Sequence, residues 1–228
     1  MDSLPINRGK LDVARDAARA AISVVPMVGG PLQVAFEALF ASPIEKRKEE
    51  WLQKLAEVVV ELGERVGELT PERLAQDDVF VTVVMQTSQI ALRNHQVEKL
   101  EALRNAVLNS VLSTIEEDEK FLFLRLIDQL TPVHLRTLKF LDDPGAWMQR
   151  HGMQNPGWSM GGVSTVLEHC FPQLRGRRDV YDQIVSDLQT DGLVGSGSFL
   201  HTTMTVEGMF GSRTSTRGKA FLAFITAN

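Results

Sequence analysis

Apolar residues recur at spacings of three and four along most of the first 130 residues, which is the period of an amphipathic α-helix. Strand signals are nearly lacking there, whereas Gly, Ser and Thr cluster between residues 152 and 218. The pattern predicts a mainly α protein, with an N-terminal antiparallel helical bundle over residues 1–128 and a C-terminal α+β module over residues 129–228.

Prolines and capping residues mark where the helices of the predicted bundle begin. Ser42-Pro43, with Glu45 completing a capping box, predicts that a long helix starts at Ser42. Thr70-Pro71 predicts a short helix, and the stretch 79–113 predicts the longest helix, with a bend around Asn94. The apolar positions of the helix after Ser42 are Trp51, Leu52, Leu55, Val58, Val59, Leu62 and Val66.

A proline-glycine break interrupts the apolar pattern near the N-terminus and has two interpretations. As a hinge, it would let two short apolar helices leave the bundle and enter a membrane or a partner groove. As a tight turn, it would let two buried helices approach closely, because glycine has no side chain; we favour this reading. The candidate hinge residues are Pro26, Gly29, Gly30 and Pro31.

The second half of the chain predicts a different order of elements. Thr131-Pro132 starts a helix, and Asp191-Gly192 ends a later one. The predicted elements are helices over residues 133–141, 163–170 and 179–190, a short strand at 193–194, a strand over 199–206 and a helix over 215–226.

This order, and two of its segments, resemble winged helix-turn-helix modules. In Ile184 to Val194 an apolar-faced helix runs into Asp191-Gly192-Leu193-Val194, as a recognition helix runs into the first wing strand. Thr214 to Gly218, followed by Phe221, Leu222 and Ile225, is similar to the return from the wing into a final helix. The resemblance covers roughly the last 95 residues and implies a winged-helix-like fold, without a function.

Two further resemblances involve the first half. The segments 25–31, 93–107 and 130–135 resemble a group of uncharacterised bacterial proteins, which implies no activity. A proline-glycine break in a helical bundle followed by a later module is similar to abortive-infection alpha-type proteins of phage defence. A membrane-active defence effector that uses residues 20–41 is accordingly one functional hypothesis.

The charge distribution argues against general affinity for nucleic acid. The net charge of the 228 residues is -5, and residues 1–120 hold 14 Lys and Arg against 20 Asp and Glu. The predicted reading helix carries Asp179, Asp182, Asp187 and Asp191, whereas a helix in the major groove usually presents Arg, Lys, Asn or Gln. Basic side chains surround this acidic centre. The candidate nucleic-acid or partner-binding residues are Arg175, Arg177, Arg178, Gln183, Arg213, Arg217 and Lys219.

Catalytic and metal-binding patterns are weak. His95 and Glu98 have the i, i+3 spacing of one helix face, but a carboxylate-bridged metal site would need a second such pair. Cys170 is the single cysteine, which excludes a disulfide within the chain, and a buried thiol explains it more simply than a nucleophile. The sequence holds no phosphate-binding glycine loop and no dinucleotide fingerprint. We therefore expect no catalysis, cofactor or metal.

These observations predict a non-enzymatic bacterial interaction or regulatory protein, located in the cytoplasm. The bundle would assemble with itself or with a partner protein, and the winged-helix module would supply a second contact surface. Two alternatives remain: a transcriptional regulator that binds duplex DNA, with affinity that falls steeply with salt, and the membrane-active effector.

Overall fold

The computed structural model describes residues 31–227 of the chain. Within these residues the protein is mainly helical, with eleven α-helices and one antiparallel sheet of two short strands. The mainly α class is therefore confirmed. The chain divides into two compact units, with boundaries after Gln129 and after Ala223. Residues 224–227 belong to the first unit, although the sequence analysis assigned them to the C-terminal module.

The first unit is built from helices that pack on one another. They are α1 (Pro31–Arg65), α2 (Pro71–Leu74), α3 (Asp78–Arg93), α4 (Val97–Leu112) and α5 (Glu117–Gln129). α1 packs against α3 and α4, and α5 packs against the same two helices. Trp51 of α1 is buried, and its indole N–H donates to the Ser88 hydroxyl of α3 at 2.8 Å.

The predicted start of a helix at Ser42-Pro43 is wrong, because α1 runs without interruption from Pro31 to Arg65 and contains Pro43. A proline inside a helix removes one N–H donor, at a cost of about 3 kcal/mol, which the packing of a long helix with a buried face can offset.

Pro31 is the first described residue of α1. The other hinge residues, Pro26, Gly29 and Gly30, lie outside the described residues.

Local capping explains the remaining helix ends of the first unit. The Thr70 hydroxyl accepts the N–H of Arg73 at 3.3 Å, and Asp77 Oδ1 accepts the N–H groups that open α3. The single long helix predicted over residues 79–113 is two helices, α3 and α4. The chain leaves α3 at Asn94, whose side-chain amide donates to the Ile90 carbonyl at 2.7 Å and so satisfies a group that the helix end exposes.

The end of the chain completes the first unit. Phe123 and Phe224 are fully buried, with ring centroids 5.6 Å apart. Asn109 Nδ2 of α4 donates to the carbonyls of Phe224 and Thr226 at 3.0 and 2.9 Å. Asn105 Nδ2 donates to the carbonyl of Ile225 at 3.1 Å. Two buried amides therefore satisfy the carbonyls at the end of the last helix.

The second unit combines helices with one small sheet. Its elements are α6 (Pro132–Asp142), α7 (Pro144–Arg150), β1 (Met160–Gly161), α8 (Val163–Cys170), a 3₁₀ turn (Pro172–Leu174), α9 (Arg178–Thr190), β2 (Met204–Thr205), α10 (Val206–Phe210) and most of α11 (Thr216–Ile225). α6 packs against α7 and α9. Phe140, Trp147 and Phe171 form an aromatic cluster with centroid separations of 5.3 to 6.4 Å.

The strand predicted over residues 199–206 is largely wrong. Only Met204–Thr205 is extended into a strand, and it pairs with Met160–Gly161, a segment for which the sequence predicted no helix or strand. The strand stops because Thr205 caps α10, with its hydroxyl accepting the Gly208 N–H at 3.4 Å. A local side-chain bond of this kind competes with strand pairing. Val194 forms a single antiparallel bridge with Thr214 instead.

No helix in the part of the chain from residue 31 to residue 227 is both long and apolar enough to span a bilayer.

Candidate functional site

The second unit contains an open cleft of about 340 Å³ beside α8. Three segments form its walls: the loop before β1, the first two turns of α8, and the residues just after the 3₁₀ turn. The residues that line the cleft are Pro156, Trp158, Ser164, Thr165, Glu168, His169 and Arg175.

The loop wall is held in shape by a side-chain turn. Asn155 Oδ1 accepts the backbone N–H groups of Gly157 and Trp158, each at 2.9 Å. Gly157 has φ +97°, a conformation that favours glycine, so the sequence Asn-Pro-Gly suits this turn. The turn presents Trp158 to His169 of α8, with ring centroids 5.1 Å apart and nearly perpendicular planes. The aromatic wall is thus fixed by local chemistry.

The residues just after the 3₁₀ turn supply the positive charge of the cleft. Phe171 and Leu174 are 2% and 3% exposed and anchor the 3₁₀ turn, after which Arg175 lies at the surface. Gly176 follows with φ +71° and turns the chain toward α9. Among residues 31–227, the Arg175 guanidinium forms no hydrogen bond or ion pair, so a ligand would not have to displace a partner.

A polar network joins the cleft to α9. Tyr181 is 4% exposed, and its hydroxyl donates to Glu168 Oε1 at 2.9 Å. Burial, assisted by the hydrogen bond to Glu168, raises the pKa of Tyr181 to about 12. The neighbouring Asp182 carboxylate lies 2.6 Å from His201 Nε2 and 3.3 Å from Arg178 Nε. Glu168 therefore links a cleft-lining position to the buried side of α9.

The cleft combines an aromatic wall, a free guanidinium, two hydroxyls and a carboxylate, which suits binding of a small ligand by shape and charge. No protein family, curated protein or solved structure matches this chain. The nearby Cys170 is 6% exposed, and burial raises its thiol pKa to about 11, so little thiolate forms at neutral pH.

The basic residues predicted from sequence have different environments. Arg175 and Arg177 are exposed, and neither side chain has a polar partner among the described residues. Arg178 pairs with Asp182 on its own helix. Gln183 Nε2 donates to Asp187 Oδ1 at 2.6 Å. Gln183 is thus held within α9.

The other three basic residues predicted from sequence, which follow α10, also differ from one another. Arg213 donates to the Gly208 carbonyl at 2.6 Å, and its guanidinium carbon lies 5.4 Å from the centroid of the Phe199 ring. It therefore holds the segment around α10 in place. Arg217 is half-buried and Lys219 is exposed, both on α11.

The i, i+3 spacing of His95 and Glu98 would place them on one face only if both lay in the same helix, and they do not. His95 lies between α3 and α4, whereas Glu98 is in the first turn of α4. Across residues 31–227, no group of three or more His, Cys, Asp or Glu side chains is arranged to hold a metal ion.

Sequence reasoning missed most of the cleft. Of the residues that line it, only Arg175 was a candidate, and Trp158, Glu168 and His169 were not singled out. The turn signal Asn155-Pro156-Gly157 was available and predicts a fixed loop. The meeting of this loop with α8 and the 3₁₀ turn depends on packing that has no local signal.

Proposed function

We propose that this chain is a non-enzymatic regulatory protein whose C-terminal unit is a winged-helix-like module that contacts a partner protein. The order of elements supports the winged-helix-like description. α6, α8 and α9 are followed by the bridge between Val194 and Thr214, and α11 comes after it. In this comparison α9 occupies the place of the recognition helix, and residues 195–213 occupy the place of the wing.

The observation that carries the proposal is the charge and internal pairing of α9. The Asp187 carboxylate accepts a hydrogen bond from Gln183 and also lies 3.2 Å from His134 Nε2 of α6. The Asp182 carboxylate contacts the side chains of Arg178 and His201. The side chains of Gln183 and Arg178, which would read base edges or contact phosphates, are thus engaged within the unit. Carboxylates on this helix would also be repelled by the phosphates of a groove. A protein surface with donors or basic residues fits α9 better than duplex DNA.

A salt-dependent binding experiment separates the partner-protein proposal from the DNA-binding alternative. Fluorescence anisotropy of labelled mixed-sequence duplex DNA would be measured with the full chain at low and at physiological salt. A triple variant replaces Arg175, Arg177 and Arg178 by alanine. We expect no binding of duplex DNA that this variant weakens. The matched control replaces Lys46, Arg47 and Arg73 of the first unit by alanine, which removes the same charge elsewhere.

Binding that weakens with salt and with the Arg175, Arg177, Arg178 variant, but not with the control variant, would replace the proposal by the DNA-binding alternative. The exposed, unpaired side chains of Arg175 and Arg177 are what favours that alternative.

A positive test uses photo-crosslinking in cells that naturally make the protein. A photoreactive amino acid would replace Ser186, which is exposed on α9, and Gln149, which is exposed on α7, as the control. We expect a discrete adduct with a second protein from position 186 and a weaker adduct or none from position 149. Lack of any protein adduct at position 186 would contradict the proposed contact surface.

A further inference from the structure

We propose that the cleft beside α8 is a binding site for a small planar carboxylic acid with a single negative charge. This inference does not rest on the partner contact proposed for α9, because the cleft is formed by other segments of the second unit. It goes beyond that function by assigning a ligand class to the module.

The size and one wall of the cleft define the planar part of the ligand. A volume of about 340 Å³ lies at the small end of the range of ligand pockets, roughly 300–1,000 Å³. Pro156 and Trp158 supply a flat apolar surface, and His169 meets Trp158 edge-on at 5.1 Å. Aromatic rings favour offset-stacked or edge-to-face contacts with other rings. The wall therefore suits one aromatic ring.

The wall that follows the 3₁₀ turn defines the charged part of the ligand. Arg175 lines the cleft without a partner among the described residues, and a guanidinium can hold a carboxylate through two parallel hydrogen bonds. Ser164 and Thr165 also line the cleft, and neither hydroxyl forms a hydrogen bond with another described residue. They can donate hydrogen bonds to a bound carboxylate in place of the water molecules that it loses on binding.

Glu168 limits the charge of the ligand. Glu168 lines the cleft, and one of its carboxylate oxygens accepts a hydrogen bond from the Tyr181 hydroxyl at 2.9 Å, which holds the side chain in place. A ligand with a second anionic group would meet this negative charge and lose affinity. The site therefore favours a monoanion over a dianion such as a phosphate monoester.

The two walls hold their shape without a ligand. Asn155 fixes the loop that carries Trp158, and the Ser164 N–H donates to the Leu200 carbonyl at 2.9 Å, which anchors the start of α8. Leu174 is buried beneath the turn that precedes Arg175. Binding thus requires little ordering of backbone, which reduces the entropic cost of association.

Benzoate, benzamide and acetate form a matched set of probes for the site. Benzamide keeps the ring and the planar shape without the charge, and acetate keeps the charge without the ring. Binding to the full chain would be followed by NMR through the indole N–H signal of Trp158, assigned with a Trp158→Phe variant. The other two tryptophans, Trp51 and Trp147, are buried and serve as internal references.

We expect saturable binding of benzoate. Benzamide should bind more weakly by about tenfold or more, because it loses a charged hydrogen-bonded contact worth at least that factor. Acetate should also bind more weakly than benzoate, because it loses the contact between the ring and the aromatic wall. Arg175→Gln should weaken benzoate binding by about tenfold or more. Arg177→Gln, which removes a neighbouring exposed arginine that does not line the cleft, should leave benzoate binding unchanged.

Three results would overturn the assignment: no saturable shift with benzoate, equal affinities for benzoate and benzamide, or benzoate binding by Arg175→Gln that equals that of the unmodified chain. Phenyl phosphate binding more tightly than benzoate would contradict the single-charge requirement. The crosslinking result for α9 is read separately, so either proposal can fail while the other stands.

Discussion

Tyr181 is the only tyrosine of the chain, and its surroundings show how one side chain joins two features of the second unit. Its ring lies on the buried side of α9, to which it belongs, while its hydroxyl reaches Glu168 at the cleft. The ring of His201 lies 5.9 Å from the Tyr181 ring. An aromatic residue with a polar end suits such a position, because its ring packs in the core while its hydroxyl reaches a polar partner.

The ionisation of Tyr181 can be followed without interference from another tyrosine. We predict a midpoint near pH 12, by absorbance at 295 nm, in place of the ordinary value of 10. Glu168→Gln should lower this pKa, because it removes a negative charge, yet leave it above 10, because burial is the larger cause. A midpoint near 10 in the folded protein would contradict the buried, hydrogen-bonded environment.

The raised pKa has a definite consequence for stability. The folded protein holds the Tyr181 proton more tightly than the unfolded chain does, so the folded state binds more protons between pH 10 and about 12. The contribution of this group to the free energy of unfolding is complete below pH 10 and is lost as the pH rises through that window.

At the scale of single elements, the start of α11 is fixed by one serine and one glycine. Ser215 Oγ donates to the Gly192 carbonyl at 2.6 Å and accepts the Gly218 N–H at 2.9 Å. The Ser215 N–H donates to the Leu193 carbonyl at 3.0 Å. These contacts bring the first turn of α11 against the segment that follows α9, with no space for a side chain at Gly218.

We predict that Gly218→Ala destabilises the protein by about 1–3 kcal/mol. An added Cβ would lie 2.0 Å from the Leu193 carbonyl oxygen and 2.9 Å from its carbon, so the backbone would have to move. In an exposed helix the same change would stabilise by about 1 kcal/mol, so the sign of the effect is diagnostic. Urea unfolding of the variant and the unmodified chain gives the difference.

Gly67→Ala is the control for this substitution. Gly67 has no neighbouring atom within 4 Å of the added Cβ, and we expect a change of no more than about 0.5 kcal/mol. Gly218→Ala with a stability equal to or above that of the unmodified chain would contradict the close contact between α11 and Leu193.

The comparison of predicted and observed elements depends on how local their causes are. Thr70 was identified as a helix start, and it caps α2 through a bond to a residue three positions away. Asp77, just before the helix predicted from residue 79, caps α3 through a bond to a residue two positions away. The strand over residues 199–206 was predicted from alternation of Thr and apolar residues, but Thr205 bonds to Gly208 and starts α10 instead. The alternation alone does not show whether a threonine will continue a strand or cap a following helix with its hydroxyl.

At the scale of the whole chain, residues far apart in sequence complete the first unit. Asn109 of α4 and the carbonyls of Phe224 and Thr226 are separated by more than one hundred positions, yet they form two hydrogen bonds in a buried setting. Asn109 is 1% exposed, so solvent cannot replace these bonds if they are lost.

We predict that Asn109→Asp destabilises the first unit by about 3–5 kcal/mol, since it replaces a buried donor by a charge that faces two carbonyl oxygens. Urea unfolding followed by tryptophan fluorescence measures the loss, because Trp51 lies in the same unit. Asn155→Asp is the control: Asn155 uses its oxygen as an acceptor, which aspartate retains, so little change is expected. Equal effects of the two substitutions would contradict the donor role of Asn109.

The sequence by itself determined the helical class, most helix starts and the acidic character of α9, because each follows from the spacing of apolar residues or from a side chain that caps its own helix. Only the tertiary structure decided the pairing of Met160–Gly161 with Met204–Thr205, the return of the chain end to Asn105 and Asn109, and the cleft around Trp158 and Arg175. These features join segments that are distant in sequence, and their positions depend on the packing of the whole unit. The spacing of apolar residues in one segment does not indicate which other segment it will pack against.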